Sequence, residues 1–272
     1  MLDLFEFLSY GFMQRAILSG LAVASVCSVL GLFLVLKRQS LFGDALSHMA
    51  FGGIALGSYI NVYPIWTAII ISISSAIAIS KLQRISSLPP ESLIALMLSF
   101  GLGIGVLLIS MSDGFTLDLF SFLFGSILLI NFEEILLILF VSTIVILIII
   151  LFYHKFIYII FDEKQAKLNG ININYYNYLF ASLSAITVIA SMKLVGILLI
   201  SSLLVLPNIT ALLFKRGFKQ TIVISLLLSN SSVFLGITLS YFFNLAPSGA
   251  IVMTSIFLFI LVLSIKELMS SK

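Results

Sequence analysis

Long apolar runs separated by short basic clusters set the pattern of this chain. The runs cover about 12–36, 45–60, 62–80, 92–112, 133–153, 176–192, 195–214, 219–241 and 248–266. Most approach the ~20 residues of helix that cross a ~30 Å hydrocarbon core. They are too long for barrel strands, which span about ten residues and alternate apolar with polar, so their backbone groups must be satisfied within helices. The pattern predicts an all-α fold, a polytopic transmembrane helical bundle forming one domain over residues 1–272. The runs amount to nine crossings. Because 45–60 is short and glycine-rich and 176–214 has room for a re-entrant piece, the expected range is eight to ten spans.

The polar positions supply the direction. Basic residues cluster at Lys37-Arg38, Lys81 with Arg84, Lys155 through Lys167, Lys215-Arg216 with Lys219, and Lys266 to Lys272. Cytoplasmic loops carry an excess of Lys and Arg. All five clusters reach that side if the spans between them come in pairs, which puts the acidic start outside and the C-terminus inside. Lys193, at an outer turn, is the exception.

Two segments are neither loops nor ordinary spans. Asp118 to Gly125 follows an outer loop at Asp113 and is too short to cross, so it is expected to lie in or dip into the outer half. The longest polar stretch, 154–175, holds Asp162, Glu163, Lys164, Gln165, Ala166, Lys167, Leu168, Asn169 and Gly170. Asp162 can cap the N-terminus of a helix, and Gly170 with Asn169 can end it in a left-handed turn. This segment reads as a short cytoplasmic helix presented to a partner.

Composition sharpens the picture. The chain is 61% hydrophobic and 9% charged, with a mean hydropathy of +1.25, where soluble domains carry about 25% charged residues. Membrane lipid is its solvent. The net charge of +3 reports orientation and implies no nucleic-acid partner. The start, Met1-Leu2-Asp3-Leu4-Phe5-Glu6, lacks the basic opening of a cleaved signal, so none is expected. The single cysteine, Cys27, sits in an apolar run and allows neither a disulfide nor a thiolate cluster within the chain.

Candidate chemistry narrows to Asp44 and His48, within Gly43-Asp-Ala-Leu-Ser-His-Met-Ala-Phe-Gly-Gly53. An i, i+4 spacing puts carboxylate and imidazole on one helical face, where both can ligate one cation. Counted from Arg38 as helix, Asp44 lies ~9 Å deeper into the membrane. Ionisable groups there usually mark an ion path or pair with each other. The plainer reading is that Asp44 caps the helix and His48 bonds a neighbouring carbonyl. Imidazole plus carboxylate suits zinc, manganese or iron, and two ligands hold an ion loosely enough to release it. Gly43, Gly52 and Gly53 beside the pair permit either close helix packing or a break in the span.

Other ionisable residues read as structural. His154 stands beside Lys155 at the inner surface; Glu133, Glu134 and Glu91 open helices, where carboxylates complement the dipole. No G-x-x-x-x-G-K-[ST] phosphate loop is present, so the chain is not itself an ATPase. It also lacks H-E-x-x-H and G-x-S-x-G, which leaves an enzyme without support.

Taken together, several segments resemble the permeases of zinc/manganese-type ABC importers. They are Gly43 through Gly53, Asp118 through Ser126, Phe161 through Gly170, Val195 through Ala211 with Pro207, and Pro247-Ser-Gly249. The resemblance implies that Asp44 and His48 lie on a metal path and that Asp162 to Gly170 is the coupling helix that docks on an ATPase. It implies a multi-pass protein of the bacterial inner membrane, working as a homodimer with a cytoplasmic ATP-binding subunit and an extracytoplasmic metal-binding protein. ATP would be used by the partner, no cofactor would be held tightly, and the cargo would be Zn2+ first and Mn2+ second. One departure is Gly52, where the family commonly has proline, so a looser backbone after His48 is expected. The competing class is a proton-coupled secondary transporter using the same acid–histidine pair.

Overall fold

The computed structural model describes residues 9–111, 122–123, 125 and 131–270. Most of the segment Asp118 to Ser126, the Asp113 loop and the acidic start lie outside these residues. Eleven helices are described: α1 (Gly11–Leu36), α2 (Phe42–Tyr59), α3 (Pro64–Ile85), α4 (Pro90–Met111), α5 (Phe132–Leu151), α6 (Tyr153–Phe161), α7 (Glu163–Leu168), α8 (Ile173–Val195), α9 (Ile197–Leu212), α10 (Phe218–Phe243) and α11 (Pro247–Ser270). No strand occurs among the described residues.

Each apolar run of the sequence becomes a helix, and among the described residues six are long and apolar enough to cross a membrane: α1, α3, α4, α5, α10 and Pro247–Leu268 of α11. α9 falls short at 16 residues, about 24 Å of rise against a ~30 Å core, and α2 is made more polar by Asp44, His48 and four glycines. α8 has the length to cross, with 23 residues that open on Ile-Asn-Tyr-Tyr-Asn-Tyr.

Local sequence sets many of the helix ends. Proline opens α3, α4 and α11, where its missing N–H costs nothing. The Glu134 carboxylate accepts a hydrogen bond from the Asn131 amide at 3.2 Å and fixes the start of α5. Between α8 and α9 the whole connection is one residue, Gly196, at φ 83° and ψ 156°. That combination is essentially open to glycine alone.

α1 runs through the interior of the bundle, with Leu30, Leu32, Phe33 and Leu34 fully buried. It packs against α10, α9 and α5, while α2 packs chiefly against α3 and α4. α8 links the two groups through α3 and α2. With no hydrophobic drive between helices in lipid, small residues and polar contacts decide such packing. A polar seam joins α1, α9 and α10. The Ser28 hydroxyl donates to Ser225 Oγ at 2.8 Å, Ser225 donates to Asn208 Oδ1 at 2.7 Å, and Asn208 donates to the Leu204 carbonyl at 2.8 Å. Ser229 adds a 3.0 Å bond to the Ala24 carbonyl. Cys27 is buried, as its apolar setting suggests.

At the end of the bundle where the basic residues gather, the Phe33 ring meets Phe156, Phe180 and Phe218 at centroid distances of 6.1, 6.0 and 5.3 Å. These rings come from α1, α6, α8 and α10, so α6 is anchored in the bundle and α7 is held just outside it.

Candidate functional site

α2 begins with a tight reversal rather than a continuation of helix from Arg38. Arg38 adopts φ 58°, and the helix starts at Phe42 after an N-cap at Leu41 that makes no side-chain cap bond. Asp44 is therefore in the first turn of α2, about 3 Å along the axis from Phe42, with His48 about 6 Å further. The ~9 Å depth counted from Arg38 is corrected by this turn. Asp44 is not the capping residue of α2.

Both side chains are half-buried, while Ala45, Leu46, Ser47 and Met49 around them are buried. Neither makes a hydrogen bond or ion pair among the described residues, whereas Ser47 between them bonds the Gly43 carbonyl at 2.9 Å. Two ionisable groups thus share one face of α2 with their lone pairs uncommitted. No group of three or more His, Cys, Asp or Glu residues able to hold a metal occurs among the described residues. The pair offers two ligands, which suits a transient site better than a structural one.

Glycine contacts fix where this face sits. A Cβ on Gly101 of α4 would lie 2.7 Å from the carbonyl carbon and oxygen of His48, and one on Gly52 would lie 2.9 Å from the Gly101 oxygen. A Cβ on Gly53 would lie 2.6 Å from Cα of Ala68 in α3. On the side of α9, a Cβ on Gly43 would strike Leu204. Backbone therefore meets backbone on two sides of α2, and of the two possibilities the glycines left open, close packing is realised. The helix runs unbroken from Phe42 to Tyr59 through Gly52, so the looser backbone expected there does not occur.

α7 shows how a short helix is held in place. The Asp162 side chain accepts from the Gln165 amide at 2.9 Å. The far end closes with bonds from the Ile171 amide to the Ala166 carbonyl and from the Gly170 amide to the Lys167 carbonyl, both at 3.1 Å. Gly170 takes the left-handed φ of 74° that this closure needs. Ala166 is buried; Glu163, Lys164, Gln165, Lys167 and Asn169 are exposed, and Leu168 is 86% exposed.

Three features escape sequence reading. One is the aromatic anchor of α6. Another is the Ser28–Ser225–Asn208 seam. The third is Lys37, whose ammonium donates to Asn177 Oδ1 at 2.7 Å and lies 5.2 Å from the centre of the Phe180 ring. Burial pushes Lys37 down to about 8, partly opposed by the negative charge of Glu163. The partners of Lys37 lie far along the chain, and nothing local signals them. His154 is exposed and stacks edge-on with Tyr153 at 5.3 Å, so it stands apart from the pair on α2.

The described residues thus form a helical bundle with six helices long and apolar enough to cross a membrane, an acid–histidine pair on one face of α2, and a short capped helix outside the bundle. Residues 9–266 match the ABC 3 transport family, and the chain belongs to it. It is 31% identical to the high-affinity zinc uptake system membrane protein ZnuB of Haemophilus influenzae, over 93% of this chain and 97% of that protein. It is also 31% identical to the manganese import system permease protein ScaB of Streptococcus gordonii, over 92% of this chain and 90% of that protein. Among solved structures it superposes on PsaBC from Streptococcus pneumoniae in complex with Fab with a TM-score of 0.85 at 29% identity, covering 96% of this chain and 94% of that one.

Proposed function

We propose that this chain is the single-domain permease subunit of an ABC importer that moves a divalent transition metal, zinc first and manganese second, into the cytoplasm. One observation carries the reading: Asp44 and His48 share a face of α2 and make no hydrogen bond or ion pair among the described residues. Relatives named for zinc uptake and for manganese import support the class of cargo. The absence of a phosphate loop from the sequence assigns ATP hydrolysis to a cytoplasmic partner.

In this reading nine helices cross the bacterial inner membrane, with α2, α8 and α9 packed among the other six. Two copies of the chain pair, α7 docks on the ATP-binding subunit, and an extracytoplasmic binding protein delivers the ion. ATP-driven closure of the partner shifts α7, and the bundle opens on one side at a time. Asp44 and His48 hold the ion in passing.

The test is uptake of radioactive zinc and manganese into vesicles holding this chain with its ATPase and binding-protein partners, with and without ATP and a proton uncoupler. Uptake should require ATP and survive the uncoupler. Asp44→Ala or His48→Ala should abolish it while expression and assembly persist. Wild-type uptake by either variant would refute the metal path, and ATP-independent uptake that collapses with the uncoupler would make the protein a secondary transporter.

A further inference from the structure

Two of the basic residues where the helices meet water have internal partners. Lys37 donates to Asn177, and Lys155 donates to the Tyr176 hydroxyl at 2.6 Å. Arg216 and Lys219, at the start of α10, are different: both are exposed, and neither side chain makes a hydrogen bond or ion pair among the described residues. Together with Gln220, Val223 and Ile224 they line a cavity of about 460 Å³.

Lys219 and Val223 of this lining follow one another at i, i+4 on α10, and Leu227, outside the cavity, continues the same row. Val223 is 55% exposed and Leu227 is 64% exposed. The groove is thus cationic at its polar mouth and apolar at Val223 and Ile224, and the exposed row continues beyond it to Leu227. No acidic side chain lines it.

We propose that this groove is a binding site for an anionic phospholipid. The phosphate sits between the Arg216 guanidinium and the Lys219 ammonium, with Gln220 free to donate to its oxygens, and an acyl chain lies along Val223 and Leu227. Guanidinium matches phosphate oxygens in a fork, and ammonium adds a point charge. Because α10 is long and apolar enough to span the bilayer, Val223 and Leu227 face acyl chains, and a lipid whose headgroup sits at the two cations lies along them without rearrangement. Basic pockets at the membrane border select anionic headgroups on the same physical grounds. The site is independent of the metal-transport reading, because it requires only that α10 spans the bilayer.

The experiment is native mass spectrometry of the full chain in phosphatidylcholine nanodiscs doped with phosphatidylglycerol. Wild type should retain phosphatidylglycerol in preference to phosphatidylcholine. Arg216→Ala and Lys219→Ala should each lower that retention by about fivefold, and Lys81→Ala, at another basic cluster, should not. Val223→Asn should also lower it, since a neutral polar side chain breaks the acyl row and leaves both cations intact. Equal retention by wild type and the double charge variant, or no preference for phosphatidylglycerol in wild type, would overturn the site. Wild-type retention by Val223→Asn would show diffuse attraction rather than a groove and would equally overturn it. So would loss of co-purified ATPase with lipid retention unchanged, which would assign the patch to a protein contact. Monodisperse elution of each variant keeps misfolding apart from loss of binding.

Discussion

Gly101 shows how little room surrounds the candidate metal face. Its missing side chain lets α4 rest directly on the peptide unit of His48, and a methyl group there would lie 2.7 Å from backbone atoms that cannot rotate away. Gly101→Ala should therefore force α4 from α2 and cost about 1–3 kcal/mol, read as a lower melting temperature in detergent. Metal uptake should fall with it although Asp44 and His48 are untouched. Gly103, two residues on, has nothing within 4 Å of its would-be Cβ, so Gly103→Ala is the matched control. Equal behaviour of the two variants would remove the steric account. At this scale the sequence was informative where chemistry is local. Asp44 and His48 stand out because carboxylate and imidazole are rare in an apolar run, and their shared face follows from helix geometry alone. That neither makes a hydrogen bond among the described residues depends on what α3, α4 and α9 bring alongside, which spacing does not encode.

Helix α7 is the element whose form was most legible and whose anchoring was least. Its cap at Asp162 and its stop at Gly170 are interactions between residues a few positions apart, so the letters alone define them. The rings that hold α6, and with it α7, come from Phe33, Phe156, Phe180 and Phe218, and no periodicity links those positions. Leu168 projects from the end of α7 almost fully exposed, an arrangement that suits a contact with a separate subunit. Leu168→Asp should leave stability within about 0.5 kcal/mol of wild type, as exposed substitutions do, while co-purification of the ATP-binding subunit falls sharply. Undiminished co-purification would remove Leu168 from that contact. The six helices that qualify as spans were likewise readable from hydropathy, whereas the polar residues and glycines of α2 and the shortness of α9 weaken the same signal.

Across the whole molecule, Lys37 connects three parts: it ends α1, bonds Asn177 on α8 and feels the charge of Glu163 on α7. A lysine held near 8 when folded and near 10.5 when unfolded binds fewer protons in the native state between those values. The unfolded chain binds more, so stability contributed by this group rises as pH climbs from about 8 to 10.5 and is flat below that window. Lys37→Met should abolish that part of the slope when melting temperatures of variant and wild type are compared across it. Glu163→Gln, by removing the opposing negative charge, should extend the slope to lower pH. An identical pH profile for Lys37→Met and wild type would show that the ammonium is better hydrated than its surroundings suggest. The single-residue link at Gly196 has a consequence of another kind, for biogenesis. Two helices joined without a loop leave no stretch of chain that can wait in water while the first half enters the bilayer and the second is still being made. α8 and the short α9 must be inserted together, as one forty-residue unit spanning 173–212, and a side chain at position 196 would be felt by the insertion machinery before the finished transporter ever exists.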